Sequence, residues 1–548
     1  MMWLKRPIPA ALILVLVWAV FRLAFIAHTG IPQPRIHDEF SYLLGADTFV
    51  HGRLANPPPS LGQFFESPHI LVRPTYASKY PPGQALVLAL GQRIFGDAFY
   101  GVLIGNALML FTFCVMLFAW VPGRWALAVS AMFGLCLSGR MYWTYSYWGG
   151  SVAASGGALV LLGIGIYRAK QTALAGAVFA LGALLLFWTR PFEGGIFTLV
   201  VLLVFAREIW TKRSLRAFFA AASIFAIGIA WTCYDNKAVT GHPLLLPYLV
   251  HQRQYDVAPV FWFQRLHTQP AYSHPRLAGE HGIGGEEVVK YEEEGPRWQS
   301  LGIGLFSTLQ TFELSLGISF LLTLIVPVAW RDPVFRKMTI VAGFVLVALS
   351  LETFHAEHYS APAWAAVALM IAIWAERAWR LRLHRYRVGV ALVLLALLSP
   401  VLITLPSHFI TLWAHLPGLL HRASAPSNSD GVAPVAAQGG SADAYGDWSQ
   451  RRASLIQRLS ALDRQQLVIV RYPYPDWRVD DEWVYDGADI DHQRVVFAHD
   501  LGQEQNVALL NYYPDRTALL LTFDPRSGQE QVEPYPNAAT PASLNTAH

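Results

Sequence analysis

Ile36–Gly52 reads IHDEFSYLLGADTFVHG and sets two adjacent carboxylates, Asp38 and Glu39, just beyond the first long apolar run of the chain. Everything around it reads as membrane. Of 548 residues, 54% are hydrophobic and only 14% charged, which excludes disorder and disfavours a soluble globule. The apolar runs predict about eleven transmembrane helices, at 8–27, 98–119, 125–140, 151–167, 172–188, 193–206, 217–234, 303–329, 338–352, 361–378 and 388–405. The run at 8–27 follows Lys5 and Arg6 as a signal peptide would. It is long for one and the chain goes on as a membrane protein, so it reads as an uncleaved anchor. Cys114, Cys136 and Cys233 fall inside apolar runs without metal or redox spacing. A net charge of +4 is too small to argue for nucleic acid.

The cations give the orientation. With the N-terminus in the cytoplasm, the basic clusters at 5–6, 124, 168–170, 207–216, 331–337 and 377–387 all fall inside, and the short outward turns keep only Arg140 and Arg190. Basic residues near span ends are retained on the cytoplasmic side. Asp38 and Glu39 then lie outside, in a long loop over 28–97; a second outward loop covers 235–302. Residues 1–410 read as a transmembrane domain and 411–460 as a flexible or helical linker, with a small, polar, Pro/Gly-containing stretch at 422–446. Beyond it, QQLVIVRYP, RVVFAHDLG and RTALLLTF with the helical QEQNVALLNYY predict a small α/β domain over 461–548.

Each polar candidate has two readings. Asp38 and Glu39 suit the first turn of a helix, with Phe40, Leu43 and Leu44 toward the membrane; equally, one of them can serve as a general base. Gln84–Phe95 is apolar but too short to span, so it predicts an interfacial helix started by Pro81 and Pro82. Lys79 beside it either snorkels or neutralises a lipid phosphate. Arg190 is a phosphate contact or the ion partner of Glu193. His355, Glu357 and His358 crowd one turn and lack a zinc pattern, so no metal ligand is assigned and His358 is taken to contact phosphate or sugar. Tyr142 and Trp148, in GRMYWTYSYWGG beside Arg140, form an interfacial belt or a sugar-stacking wall. His267, His274 and His281 repeat every seven residues without further support for metal, and EEVVKYEEEG reads as a solvated face.

The acid pair in HDEFSYLLGADTFVHGRL, followed by KYPPG and an interfacial helix, resembles the GT-C superfamily of membrane glycosyltransferases, in particular the protein O-mannosyltransferases and aminoarabinose transferases. The chain departs from the latter group's motif: Tyr80 is inserted, Gly83 stands where that group has leucine, and Ser78 where it has glutamate. The resemblance implies a GT-C-like fold with a C-terminal extracytoplasmic domain in a bacterial inner (plasma) membrane. It implies transfer of a sugar from a polyprenyl-phosphate carrier to a glycan, lipid or protein acceptor, with inversion. In that scheme Asp38 is the base and Glu39 a supporting or alternative acid. Lys79, Arg140, Arg190, His358, Tyr142 and Trp148 are expected to hold the donor's phosphate or sugar. No cofactor is fixed by the sequence, and a divalent cation stays open. The partners are the lipid-linked donor, the acceptor and membrane lipids. A transporter or flippase is the competing class, but it calls for ionisable groups deep in spans and for repeated halves. Here the polar groups collect at the outward ends and no repeat is evident.

Overall fold

A computed structural model describes residues 6–139, 142–293, 297–400 and 448–536. Five helices are long and apolar enough to cross a membrane by length and composition: Pro7–Thr29 (α1), Phe99–Phe118 (α4), Ser151–Ala169 (α6), Leu215–Thr240 (α9) and Glu357–Ala378, whose first turns are 3-10 and whose α-helical part is Trp364–Ala378 (α16). Between and around them lie His37–Val50 (α2), Pro82–Phe95 (α3), Gly123–Gly139 (α5), Ala173–Phe187 (α7) and Pro191–Lys212 (α8). Pro333–Leu349 (α15) and the apolar Val388–Pro400 (α17) complete the helical body. The expected run at 303–329 is not one helix. Arg297–Leu316 (α13) and Ile318–Ile325 (α14) are separated by Gly317, whose φ of 57° lies in the left-handed region. Glycine allows that break, and Pro327 then prevents α14 from extending.

The first long loop is built around α2, a short hairpin of Ile70–Leu71 (β1) and Ala77–Ser78 (β2), and α3. Proline at the start of α3 fits the first helical turn, where no backbone donor is needed. The second loop carries three short helices, Pro247–Gln254 (α10), Pro275–His281 (α11) and Glu286–Glu293 (α12).

The C-terminal part has Trp448–Ser460 (α18), Gln466–Arg471 (β3), Val495–His499 (β4), Gln503–Tyr512 (α19), Thr517–Asp524 (β5) and Gln529–Pro534 (β6). The sheet order is β4-β3-β5-β6, with β3 parallel to both neighbours and β6 antiparallel. β3 and β4 are buried along nearly their whole length, as strands covered on both faces require. The tether at 422–446 lies outside the described residues.

This sheet domain docks on α2, which corrects the expected membrane-facing stripe. Phe40 stacks on Tyr485 with ring centroids 4.2 Å apart and packs near Trp448, and Leu44 joins the same buried cluster. The opposite end of α2 is pinned through Asp47, whose Oδ2 accepts from the Ala488 N–H at 2.7 Å and whose Oδ1 accepts from Gln92 at 3.1 Å. Arg22 of α1 is buried and donates to the Thr144 carbonyl at 2.7 Å. In a buried setting a guanidinium needs such acceptors.

Candidate active site

A cavity of about 800 Å³ lies where the two long loops, the α7–α8 turn and the segment after α15 meet. Asp38, His69, Lys79, Tyr80, Trp148 and Arg190 line it, together with Glu193, Tyr248, Glu287, Glu352 and Tyr359. Asp480 reaches it from the C-terminal domain.

Asp38 stands in the first turn of α2, half-buried. Its Oδ1 accepts a hydrogen bond from the Tyr80 hydroxyl and lies 2.5 Å from Nδ1 of His69. No hydrogen bond among the described residues uses Oδ2. Burial pushes the carboxyl pKa up, but His69, Lys79 and Tyr80 outweigh it and hold Asp38 well below the usual carboxylate range. For His69, burial and Lys79 pull the imidazole down, and the ion pair with Asp38 and the contact with Glu287 overcome both, raising it to about 9. The result is a carboxylate–imidazolium pair at neutral pH. His69 has φ 66°, unusual for a residue with a Cβ. Its carbonyl accepts from the Ser41 hydroxyl at 2.7 Å and the Lys79 N–H at 3.4 Å, which fixes that conformation. Strain held by surrounding bonds is frequent at working sites.

Glu39, the neighbour of Asp38, points elsewhere. Its Oε2 accepts from the backbone N–H groups of Arg35 at 2.6 Å and Ile36 at 3.3 Å, and its Oε1 from Ser146 and the Tyr147 N–H, both at 2.9 Å. It is buried and does not line the cavity. A glutamate at the third helical position that reaches back over the helix start is a capping arrangement. Here it also clasps the aromatic segment that follows α5, so Glu39 is a fastener and not the second acid expected.

Lys79 follows β2, 3% exposed yet lining the cavity, with Nζ 5.4 Å from the ring centroids of both Tyr80 and Tyr248. It forms no ion pair with a carboxylate among the described residues. Arg190 precedes α8, with its guanidinium 4.0 Å over the Tyr359 ring and 3.5 Å from Glu193. Trp148 lines the cavity. Tyr142 and His358 do not: His358 is buried 5.1 Å behind the Trp148 ring, and Tyr142 lies 5.6 Å from that ring. Both therefore back the wall. Arg140 lies outside the described residues.

The position of Gly83 has a steric cause. Its N–H donates to the Trp188 carbonyl at 2.7 Å, and a Cβ there would sit 2.6 Å from that oxygen and from Thr189. The start of α3 is thereby pressed against the turn that carries Arg190, which brings Lys79 and Arg190 to one cavity.

Several participants escaped the sequence reading. His69, Tyr80, Tyr248, Glu352 and Tyr359 carry no spacing signal; they meet only through the tertiary fold. Glu352 lies in the cavity wall, where burial, then the nearby Glu193, raise its carboxyl well above the usual value against the pull of Arg190. Glu287, read as part of a solvated acidic face, turns inward to within 2.8 Å of His281 Nδ1. His281 was one signal: together with His251 and Asp256 it brings ligand atoms within 4.8 Å of one another, as do His69, Glu280 and Glu287. These groups could hold a divalent cation.

No family model matches the chain, and no curated protein matches it. Among solved structures the chain is similar to ArnT from Cupriavidus metallidurans, in a crystal structure bound to undecaprenyl phosphate. The TM-score is 0.46 at 13% identity, over 93% of this chain and 92% of that one. The chain is also similar to the Archaeoglobus fulgidus oligosaccharyltransferase in its apo form, with TM-score 0.43 at 10% identity over 87% of this chain and 64% of that one. A third is AglB of the same organism, in complex with an inhibitory peptide and a dolichol-phosphate: 0.40 at 10% identity, over 94% and 69%.

Proposed function

We propose that the protein is a membrane glycosyltransferase that moves a sugar from a polyprenyl-phosphate carrier to an acceptor hydroxyl outside the cytoplasm, with inversion and with Asp38 as the base. One observation carries the reading: an ionised carboxylate and the buried Lys79 face the same cavity, with Arg190 on its wall. No carboxylate closes an ion pair with Lys79 among the described residues, so its donors are left for a further anion, and a phosphate supplies one. The cavity is also bordered by apolar groups, Phe187, Trp188 and Leu249 among them, which suits an amphiphilic donor.

In this mechanism the acceptor hydroxyl donates to Asp38, held in place by Tyr80 and His69, and attacks the anomeric carbon from the side opposite the phosphate. The new C–O bond forms as the bond to the phosphate oxygen breaks, which inverts the centre. The proton goes to Asp38, and the lipid phosphate leaves with its charge stabilised by Lys79 and Arg190. A strongly acidic carboxyl is a modest Brønsted base, yet it stays deprotonated at every working pH and is fixed in orientation.

The topology proposed with it keeps the N-terminus in the cytoplasm and the cavity and C-terminal domain outside, in a bacterial inner membrane. The test is turnover of polyprenyl-phosphate-linked sugars by the purified protein. Asp38→Asn is expected to lose roughly 10²–10⁴-fold, the scale of general-base assistance, with protein level unchanged. Equal turnover removes Asp38 from the mechanism.

A further inference from the structure

Asp480 carries the C-terminal domain into the cavity, and there it meets two buried side chains. His37 opens α2, Glu280 belongs to α11, and Asp480 lies in the segment between β3 and β4. All three line the cavity. Nε2 of His37 lies 3.6 Å from Oε2 of Glu280 and 3.5 Å from Oδ1 of Asp480. The trio is held from behind. Nδ1 of His37 is 2.6 Å from the Tyr485 hydroxyl, and Arg276 of α11 donates to Glu482 at 3.1 Å and to the Val479 carbonyl at 2.8 Å.

His37 and Glu280 are more than nine-tenths buried, yet neither His37 Nε2 nor Glu280 Oε2 has a hydrogen-bond partner among the described residues. Buried polar atoms are otherwise nearly always satisfied. Separations of 3.5 and 3.6 Å are too long for good direct bonds. They leave a gap that a small polar group bridges. With carboxylate oxygens on two sides, Nε2 is assigned a proton, so the trio presents one N–H donor between two acceptors. Burial lifts the Asp480 carboxyl only to about 6 against the pull of His37, which leaves it ionised at neutral pH. A hydroxyl both accepts and donates, and it matches this set. A phosphate dianion has no proton to give the carboxylates, and an ammonium has no lone pair for the Nε2 proton.

We infer that His37, Glu280 and Asp480 bind two adjacent hydroxyls of a neutral sugar, and that this sugar belongs to the acceptor. One hydroxyl accepts from Nε2 of His37 and donates to Glu280; its neighbour donates to Asp480. A single serine or threonine side chain has one hydroxyl and fills only half of the set. The position favours acceptor over donor. The His37 ring centroid lies 5.6 Å from that of His69, the partner of Asp38, so the trio borders the proposed base. No ion pair joins Glu280 or Asp480 to Lys79 or Arg190 among the described residues, so these acids do not occupy the cations that face the departing phosphate. Glu286 and Glu293 line the same cavity and add to a field that repels an anionic acceptor. Only the word acceptor rests on the transferase reading; the sugar site stands on the trio itself.

The test therefore reads binding and not turnover. The full chain in lipid nanodiscs, without donor, is titrated with the methyl glycosides of glucose, mannose and galactose. The 6-phosphate and the 2-amino form of each sugar are the anionic and cationic comparisons, and binding is followed by saturation-transfer NMR. At least one neutral glycoside is expected to bind at least tenfold more tightly than both of its charged counterparts. That affinity should fall at least tenfold in Glu280→Ala and in Asp480→Asn, the scale of a lost hydrogen bond to a charged group. The selectivity of the wild type reads the chemistry of the trio even where a variant does not fold. Failure of all three neutral glycosides to bind overturns the proposal, as does a phosphate or amino form that binds equally well. Unchanged affinity in both folded variants overturns it too. Selective sugar binding in a protein that turns over no lipid-linked donor would remove the transferase reading and leave the sugar site, so the two fail separately.

Discussion

His69 is the lever on the site's pH behaviour, and His69→Gln is the perturbation that exposes it. Its pKa rises from the ordinary 6.5 to about 9, and that shift corresponds to about 3 kcal/mol of preference for the imidazolium. The attraction itself is larger. Unit charges at 2.5 Å interact by about 7 kcal/mol at an effective dielectric of 20, and burial with the repulsion from Lys79 removes the remainder. A group whose folded pKa is raised stabilises the fold fully below its unfolded value and loses that stabilisation as pH rises through the folded one. The wild type should keep its turnover from pH 6 to 8 and lose it, with thermal stability, as pH climbs through about 9. In His69→Gln the imidazolium is gone at every pH. The alkaline limb near 9 should vanish, and Asp38, still buried but stripped of its counter-charge, should bring an acid limb into the measurable range. Donor turnover followed from pH 4.5 to 10.5 in both proteins reads both limbs. A flat wild-type profile through pH 10, or the same alkaline limb in His69→Gln, refutes the assignment.

Lys79→Met should lower kcat/KM for the lipid-linked donor by roughly 10²-fold and abolish inhibition by free polyprenyl phosphate, with Lys79→Arg restoring part of both; competition with the phosphate product checks this. Glu39→Gln replaces one oxygen of the carboxyl group that accepts four hydrogen bonds and should cost about 1–3 kcal/mol of stability. It should appear as a lower Tm with donor KM and the pH profile unchanged in whatever protein remains folded. Gly83→Ala forces a Cβ to 2.6 Å from the Trp188 carbonyl, so Tm and donor binding should fall together as the Lys79 and Arg190 walls separate.

What the sequence made legible was whatever is local or compositional. The long apolar runs marked the helices of the body, KYPPG marked the start of α3, and alternating strands marked the C-terminal sheet. The site was half legible. Asp38, Lys79, Arg190 and Trp148 do share a cavity, because residues gathered at neighbouring helix ends have a limited choice of places to point. Glu39 and Asp38 are adjacent in sequence, but consecutive helical residues face about 100° apart, so they could not both face one cavity. His358 and Tyr142 looked exposed at a span end and were covered by Trp148, which packing decides. Glu287 illustrates the same limit: in a run of acids nothing local distinguishes the one that turns toward His281. Gly317 could have warned that 303–329 would break, since glycine followed by proline ten residues later suits an interrupted span.

The departures from the aminoarabinose-transferase motif form one connected change. Where that group carries glutamate before the lysine, Ser78 offers a hydroxyl that lies 2.8 Å from Ser41 Oγ and accepts from the Tyr80 N–H at 3.2 Å. That contact fixes the inserted residue so that its hydroxyl reaches Asp38, and Tyr80 also stacks on Tyr42 with centroids 4.6 Å apart. On the far side of His69, Oε1 of Glu287 lies 3.8 Å from Nε2 of the ring. Insertion of Tyr80 lengthens the approach to α3, and glycine at 83 lets that helix start sit directly on the Trp188 carbonyl. Reverting one position alone should therefore damage the site: a glutamate at 78 would lose the Ser41 contact and add an acid beside the buried Asp38. A tolerated Ser78→Glu, with turnover and Tm equal to wild type, would show that the three positions vary independently and that Tyr80 is not there to hold the carboxylate.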